Sequence, residues 1–281
     1  MLNHHLVRLA SAALVALALA GAATAATSRT EVRVVLTHTG PRIGGPIRWQ
    51  AGTVRISATS QLADQEVNLL HFRPGYTYAD FLADGKKAQG RTAAARAAIS
   101  RVFAHTVFDG GLNLFRGQSA SFSVNVQPGT YYLGEMTSRP QLRAIHVTGT
   151  STASPLHSAA TITATSSGYR VTGALPANGT MTFANASARP HRLNLIPVKR
   201  GTTLAQLNAY IRKNGVSDSA PPPPFALNGP QIGTADLSPG QRIQVTFRLP
   251  AGTYAAIDFD QDMRTGRPEA DEGFATVLRL R

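Results

Sequence analysis

The chain has 281 residues, a formal net charge of +13 from 28 basic against 15 acidic side chains, and no cysteine. Without cysteine, thiolate catalysis, disulfide exchange and cysteine-ligated metal centres are excluded, and core packing alone must hold the fold. The basic excess allows adhesion to anionic polymers of the cell envelope, but the favoured reading is an arginine-rich surface that keeps an exported protein soluble, and the partner is left open; nucleic acid is disfavoured, because the cations are mostly scattered arginines with no run of five.

In chain order, residues 1–25 read as a cleavable secretory signal. A short head carries Arg8, the stretch 9–20 is continuously apolar or small, and Ala23, Thr24 and Ala25 give the small-x-small pattern of a cleavage site. That apolar run is shorter than the roughly 20 residues a spanning helix needs. No later run reaches spanning length, so an extracytoplasmic protein with no transmembrane segment in the mature chain is expected. Period-two alternation then predicts strands at 32–36, 54–58, 67–72, 122–126 and 131–133. A helix is predicted from near Thr77, and the alanine- and arginine-rich stretch 88–105 reads as a second, exposed helix. Further strands are predicted at 161–164, 169–171, 181–183, 193–196, 243–249 and 276–280. Leu204, Leu207 and Ile211 fall at helical spacing, with Thr202 or Thr203 as N-cap and Gly215 just past the end. The four prolines at 221–224 cannot join a ladder and predict a stiff crossing. Trp49 reads as a core plug.

Two stretches repeat. Val67-Asn68-Leu69-Leu70, Arg73-Pro74-Gly75 and Thr77 are matched without a gap by Leu193-Asn194-Leu195-Ile196, Lys199-Arg200-Gly201 and Thr203. Further on, Pro128-Gly129-Thr130-Tyr131 is matched by Ala251-Gly252-Thr253-Tyr254, each after an alternating apolar strand. The pattern predicts a tandem duplication: residues 26–149 as one unit, 150–157 as a linker and 158–281 as the second. The expected class is all-β, two Greek-key sandwiches each with a helical insertion.

The second unit resembles the cupredoxin family, in particular its plastocyanin-like secreted bacterial members. Phe183-Ala184-Asn185 followed by His191-Arg192-Leu193 is similar to the segment that carries that family's first copper-binding histidine. The resemblance implies a cysteine, a second histidine and a methionine later in the unit. Here those positions hold Asp258, Glu269 and Phe274, and only His191 matches. A blue-copper centre requires a thiolate and two imidazoles, so type-1 copper is excluded by the residue types. In the first unit Gln65 stands in place of the histidine and Glu135 in place of the cysteine.

Asp258, Asp260, Asp262 and Glu269 occupy positions 1, 3, 5 and 12 of a loop with EF-hand ligand spacing, but position 6 is Met263 rather than glycine. Arg264 and Arg267 add positive charge, which favours an exposed acidic hairpin loop balanced by its own arginines over a calcium cage. The histidines have no i+3 or i+4 partners, and the sequence contains no nucleophile elbow, phosphate loop or dinucleotide fingerprint. The expectation is therefore a copper-free cupredoxin-like binding or structural module with no catalytic residues and no cofactor. The alternative is a protein that binds calcium or a divalent transition metal through Asp258, Asp260, Asp262, Glu269 and His191.

Overall fold

The computed structural model describes residues 30–62, 64–88, 92–136, 140–151, 153, 155–215, 221–262 and 265–281. The predicted signal, Met263 and Arg264 lie outside the described residues. The first half contains strands β1 (Thr30–Thr37), β2 (Gly40–Gly44), β3 (Arg48–Gln50), β4 (Gly52–Ser60) and β5 (Gln65–Phe72), then helices α1 (Tyr78–Lys87) and α2 (Ala93–His105). It continues through β6 (Thr106–Leu114), β7 (Ser119–Val126), β8 (Gly129–Glu135) and β9 (Gln141–Thr148). The second half contains β10 (Thr161–Thr165), β11 (Gly168–Thr172), β12 (Asn178–Asn185), β13 (Asn194–Val198), α3 (Leu204–Asn214) and β14 (Ile232–Gly233). It ends with β15 (Arg242–Arg248), β16 (Gly252–Ile257), a 3-10 turn (Glu269–Glu272) and β17 (Ala275–Leu280).

The strands form two mixed sheets, giving an all-β sandwich. One sheet runs β11-β10-β12-β15-β7-β4-β1-β2, the other β17-β16-β13-β14-β6-β5-β8-β9-β3. Both pass from one half of the chain to the other. β7 pairs antiparallel with β15, Phe122 opposite Val245, and β6 meets β14 where Asn113 faces Gly233. The order is palindromic about these junctions: β2-β1-β4-β7 mirrors β11-β10-β12-β15, and the β1–β4 and β10–β12 pairs are both parallel.

Alternation explains the inner faces. Val32, Val34 and Leu36 of β1 and Val54, Ile56 and Ala58 of β4 point inward, and one apolar core runs from them through Phe122 to Phe183, Val245 and Leu280. Each fully buried Leu, Ile or Phe contributes about 1.5–3 kcal/mol. Trp49 is 1% exposed and plugs this core, its indole N–H donating to the Pro46 carbonyl at 2.8 Å. The two corner tyrosines are buried as well. Tyr131 accepts from the Gln127 N–H, and Tyr254 donates to the Pro250 carbonyl, each at 3.0 Å.

Capping fixes two helices at the expected places. Thr77 with Asp80, and Thr203 with Gln206, form reciprocal capping boxes, so Thr203 rather than Thr202 starts α3, which Gly215 ends at φ 72°. Helix α2 begins later than expected, at Ala93, and is not simply exposed: Ala95, Ala98 and Val102 are buried. Its Arg101 clamps Asp84 of α1 at 2.7 Å. Strand β6 escaped the periodicity reading because all nine of its residues are buried, Leu112 and Leu114 in the main core and Phe108 beneath the helices. β2, β3 and β14 are short pairings imposed by the tertiary fold, and in β9 Arg143 and Ala144 interrupt the apolar alternation.

The junction of the halves tolerates no added side chain at Gly111. A Cβ there would lie 2.1 Å from the Val67 carbonyl oxygen and 2.7 Å from the Ala235 Cβ. Gly111→Ala is expected to lower the stability by about 2–3 kcal/mol in urea unfolding. Gly85→Ala in α1, where a Cβ meets nothing within 4 Å, is the control and should stabilise by up to about 1 kcal/mol.

Candidate functional site

The end of β12 and the segment after it bring a cluster of charged side chains to one end of the second half. Asn185 shapes this segment, donating to the carbonyls of Arg189 at 2.6 Å and Leu237 at 2.7 Å and accepting from the Ser187 N–H at 2.9 Å. His191 then pairs with Leu237 through both backbone bonds, at 3.1 and 2.9 Å. The opposing side comes from the end of β16 and the loop beyond it.

His191 is fully buried. Its Nδ1 lies 2.9 Å from Oδ2 of the equally buried Asp258, and its ring stacks on Phe274 with centroids 3.7 Å apart. Asp258 is satisfied further by the backbone N–H groups of Asp260, at 3.0 Å, and Arg192, at 3.3 Å. Two atoms remain without a hydrogen-bond partner in this buried cluster: His191 Nε2 and Glu269 Oε2. A related pair stands in the first half, where His71 Nδ1 lies 2.7 Å from Oδ2 of buried Asp109. Burial pushes the Asp109 carboxyl up, against the pull of His71.

Two arginines organise the acids. Arg192 reaches Glu66 at 2.5 Å, Asp260 at 2.9 Å and Asp236 at 3.3 Å, so it joins the first half to the second. Arg189 pairs with Asp262, with Glu269 at 3.2 Å and with Glu272 at 3.1 Å. Burial raises Glu66 and Glu269, in each case opposed by the neighbouring cations. Asp236 and Asp260 hydrogen-bond each other and part company. Burial, helped by the charges of Asp236 and Asp258, holds Asp260 well above the usual carboxylate range despite Arg192. At Asp236 burial is outweighed by Arg192 and by the bond from Asp260, and its carboxyl is lowered.

Among the residues singled out from sequence, the fold brings Asp258 and Phe274 onto His191 and Glu269 close by. Asp260 goes to Arg192 and Asp262 to Arg189 instead of to a common centre. Among the described residues no three His, Cys, Asp or Glu side chains form a group able to hold a metal ion. The expectation of an exposed loop is corrected: Asp258, Asp262 and Glu269 are buried, and among the described residues Arg189 and Arg192 pair with the loop while Arg267 lies 3.8 Å from Asp271; Arg264 lies outside the described residues. Sequence reasoning overlooked Arg189, Arg192, Asp236 and Glu66. The signal for the first two was present, since they flank His191 in the sequence.

The copper that the sequence resemblance implies does not suit this donor set. The His191 nitrogen that faces the loop is taken by Asp258, Phe274 covers the ring, and no thiolate is present.

No family model and no curated protein matches the chain. Solved structures do. Auracyanin B is 24% identical, with 43% of this chain and 86% of that chain covered and a TM-score of 0.26. Auracyanin from the photosynthetic bacterium Roseiflexus castenholzii is 20% identical over 43% of this chain and 94% of that one, with a TM-score of 0.25. Copper nitrite reductase from Nitrosomonas europaea is 12% identical over 90% and 94%, with a TM-score of 0.23. Likenesses of this size bear on neither activity nor ligand.

The unequal aspartates give a pH-dependent expectation. A folded-state value above the ordinary 3.8 means that the folded protein binds an extra proton at Asp260, so stability falls as pH rises from 3.8 to that raised value. Asp236 is the reverse: its contribution is present above 3.8 and is lost as pH falls through its lowered value. In urea unfolding at neutral pH, Asp260→Asn should leave the midpoint unchanged or raise it, and Asp236→Asn should lower it. Equal effects would contradict this division of roles.

Proposed function

We propose that the chain is a secreted, copper-free cupredoxin-like protein, a tandem duplication that serves as a binding or structural module and not as a redox or hydrolytic enzyme. The observation that carries the reading is the closed contact of His191 with Asp258 at 2.9 Å and with Phe274 at 3.7 Å. Where the resemblance implies a metal, a carboxylate holds Nδ1 and an aromatic ring covers the imidazole. Mirrored strand orders, matched capping boxes and matched tyrosine corners support the duplication into 26–149 and 158–281. The apolar run before Ala25 supports secretion, and the net charge of +13 supports anionic envelope polymers as partners.

Calorimetric titration of the full chain with Cu(II), Zn(II) and Ca(II) tests the reading. No saturable heat is expected from any of the three, and the Cu(II) mixture should show no intense visible band. Stoichiometric binding abolished by Asp258→Asn or His191→Gln would instead establish the metal-binding alternative.

A further inference from the structure

A second feature of the molecule is unused by the His191 cluster. Between α3 and the ends of β5, β6 and β8 lies a cavity of about 570 Å³, within the range that holds small organic ligands. Its apolar wall includes Val198, Leu207, Ile211, Phe225 and Ile257. At the other end stand Asp64, Glu66 and Glu135. Glu135 is 5% exposed, and no described residue gives its carboxyl a hydrogen bond or an ion pair. Burial alone pushes that carboxyl up. Its carboxyl oxygens are not among the fully buried atoms that lack a partner, so they open to the cavity that Glu135 lines, where a cationic group can reach them.

The other charges near the cavity are already committed. Asp64 accepts from the Asn113 amide at 2.9 Å. Glu66 is held by Arg192, the one cation among the described lining residues, which is itself shared with Asp236 and Asp260. Among the described lining residues the acids thus outnumber the cations, and Glu135, to which none of them gives a hydrogen bond, is an acceptor.

We propose that this cavity binds a small organic ammonium compound, its apolar body lying against α3 and Phe225 and its amine pairing with Glu135. The charge-assisted hydrogen bond from the amine supplies the partner that Glu135 lacks, and the apolar wall excludes water from it. A carboxylate of the same shape is repelled by the acidic end. The site is separate from His191, and the proposal holds whether or not the chain takes up metal.

Fluorescence titration of the full chain with dansylcadaverine, an apolar fluorophore on a primary amine, tests the proposal against N-acetylated dansylcadaverine, in which the charge is removed. The amine should bind saturably and at least about tenfold more tightly than the acetylated probe, the loss typical of one charge-assisted hydrogen bond. Glu135→Gln should erase that difference without weakening the acetylated probe. In the unaltered protein, cyclohexylmethylamine should displace the dansyl amine and cyclohexanecarboxylate should not. Equal affinity for the two probes, as expected of non-specific adhesion to an apolar surface, would overturn the proposal. So would displacement by the carboxylate, or the absence of saturable binding.

Discussion

Arg192 sits where three carboxylates from distant parts of the chain converge, each partly withdrawn from water and facing its guanidinium. Glu66 comes from β5 in the first half, Asp236 from the segment between β14 and β15, and Asp260 from the loop after β16. Partly buried carboxylates are tolerated only when paired, because removal from water costs more than a loose Coulombic contact returns. The same residue fixes the neighbouring histidine: its backbone N–H donates to Asp258, which holds His191 Nδ1. One residue thus ties the two halves and the acidic loop through its side chain, and the buried histidine through its backbone N–H.

The consequence for function is that the end of the second half is a closed network, not an open ligand set. Its acidic oxygens face arginines, and the imidazole is covered by Phe274. Arg192 also lines both larger cavities, the one beneath α3 and a second of about 620 Å³ bounded by α2 and the acidic loop. It forms a polar wall between them.

Much of the frame was legible in the sequence because it depends on local rules. Period-two alternation located β1, β4, β5, β7, β12 and β15, and the threonine caps located α1 and α3, since burial of one face and capping of orphan N–H groups leave direct traces in residue order. The juxtaposition of His191 with Asp258 and Phe274 was legible only through the family resemblance, which supplied the correspondence of positions. What escaped was decided by tertiary contact. β6 has no alternation because it is covered on both faces, and α2 turned out to bury a face of small residues. The acidic loop looked solvated because Arg189 and Arg192, which pair with it, are about 70 residues away in sequence, as the 73-residue separation of Arg189 from Asp262 illustrates. Local charge counting cannot find a partner at that distance.

The central claim is that Arg192 closes this network and joins the halves. Equilibrium urea unfolding of Arg192→Met measures it directly, because methionine keeps most of the aliphatic bulk while leaving Glu66, Asp236 and Asp260 without their shared cation. The account predicts a loss of about 3–5 kcal/mol, the usual cost of stranding buried charges, partly restored when Glu66→Gln and Asp260→Asn are added. A loss below about 1 kcal/mol, the size expected of an exposed ion pair, would contradict it.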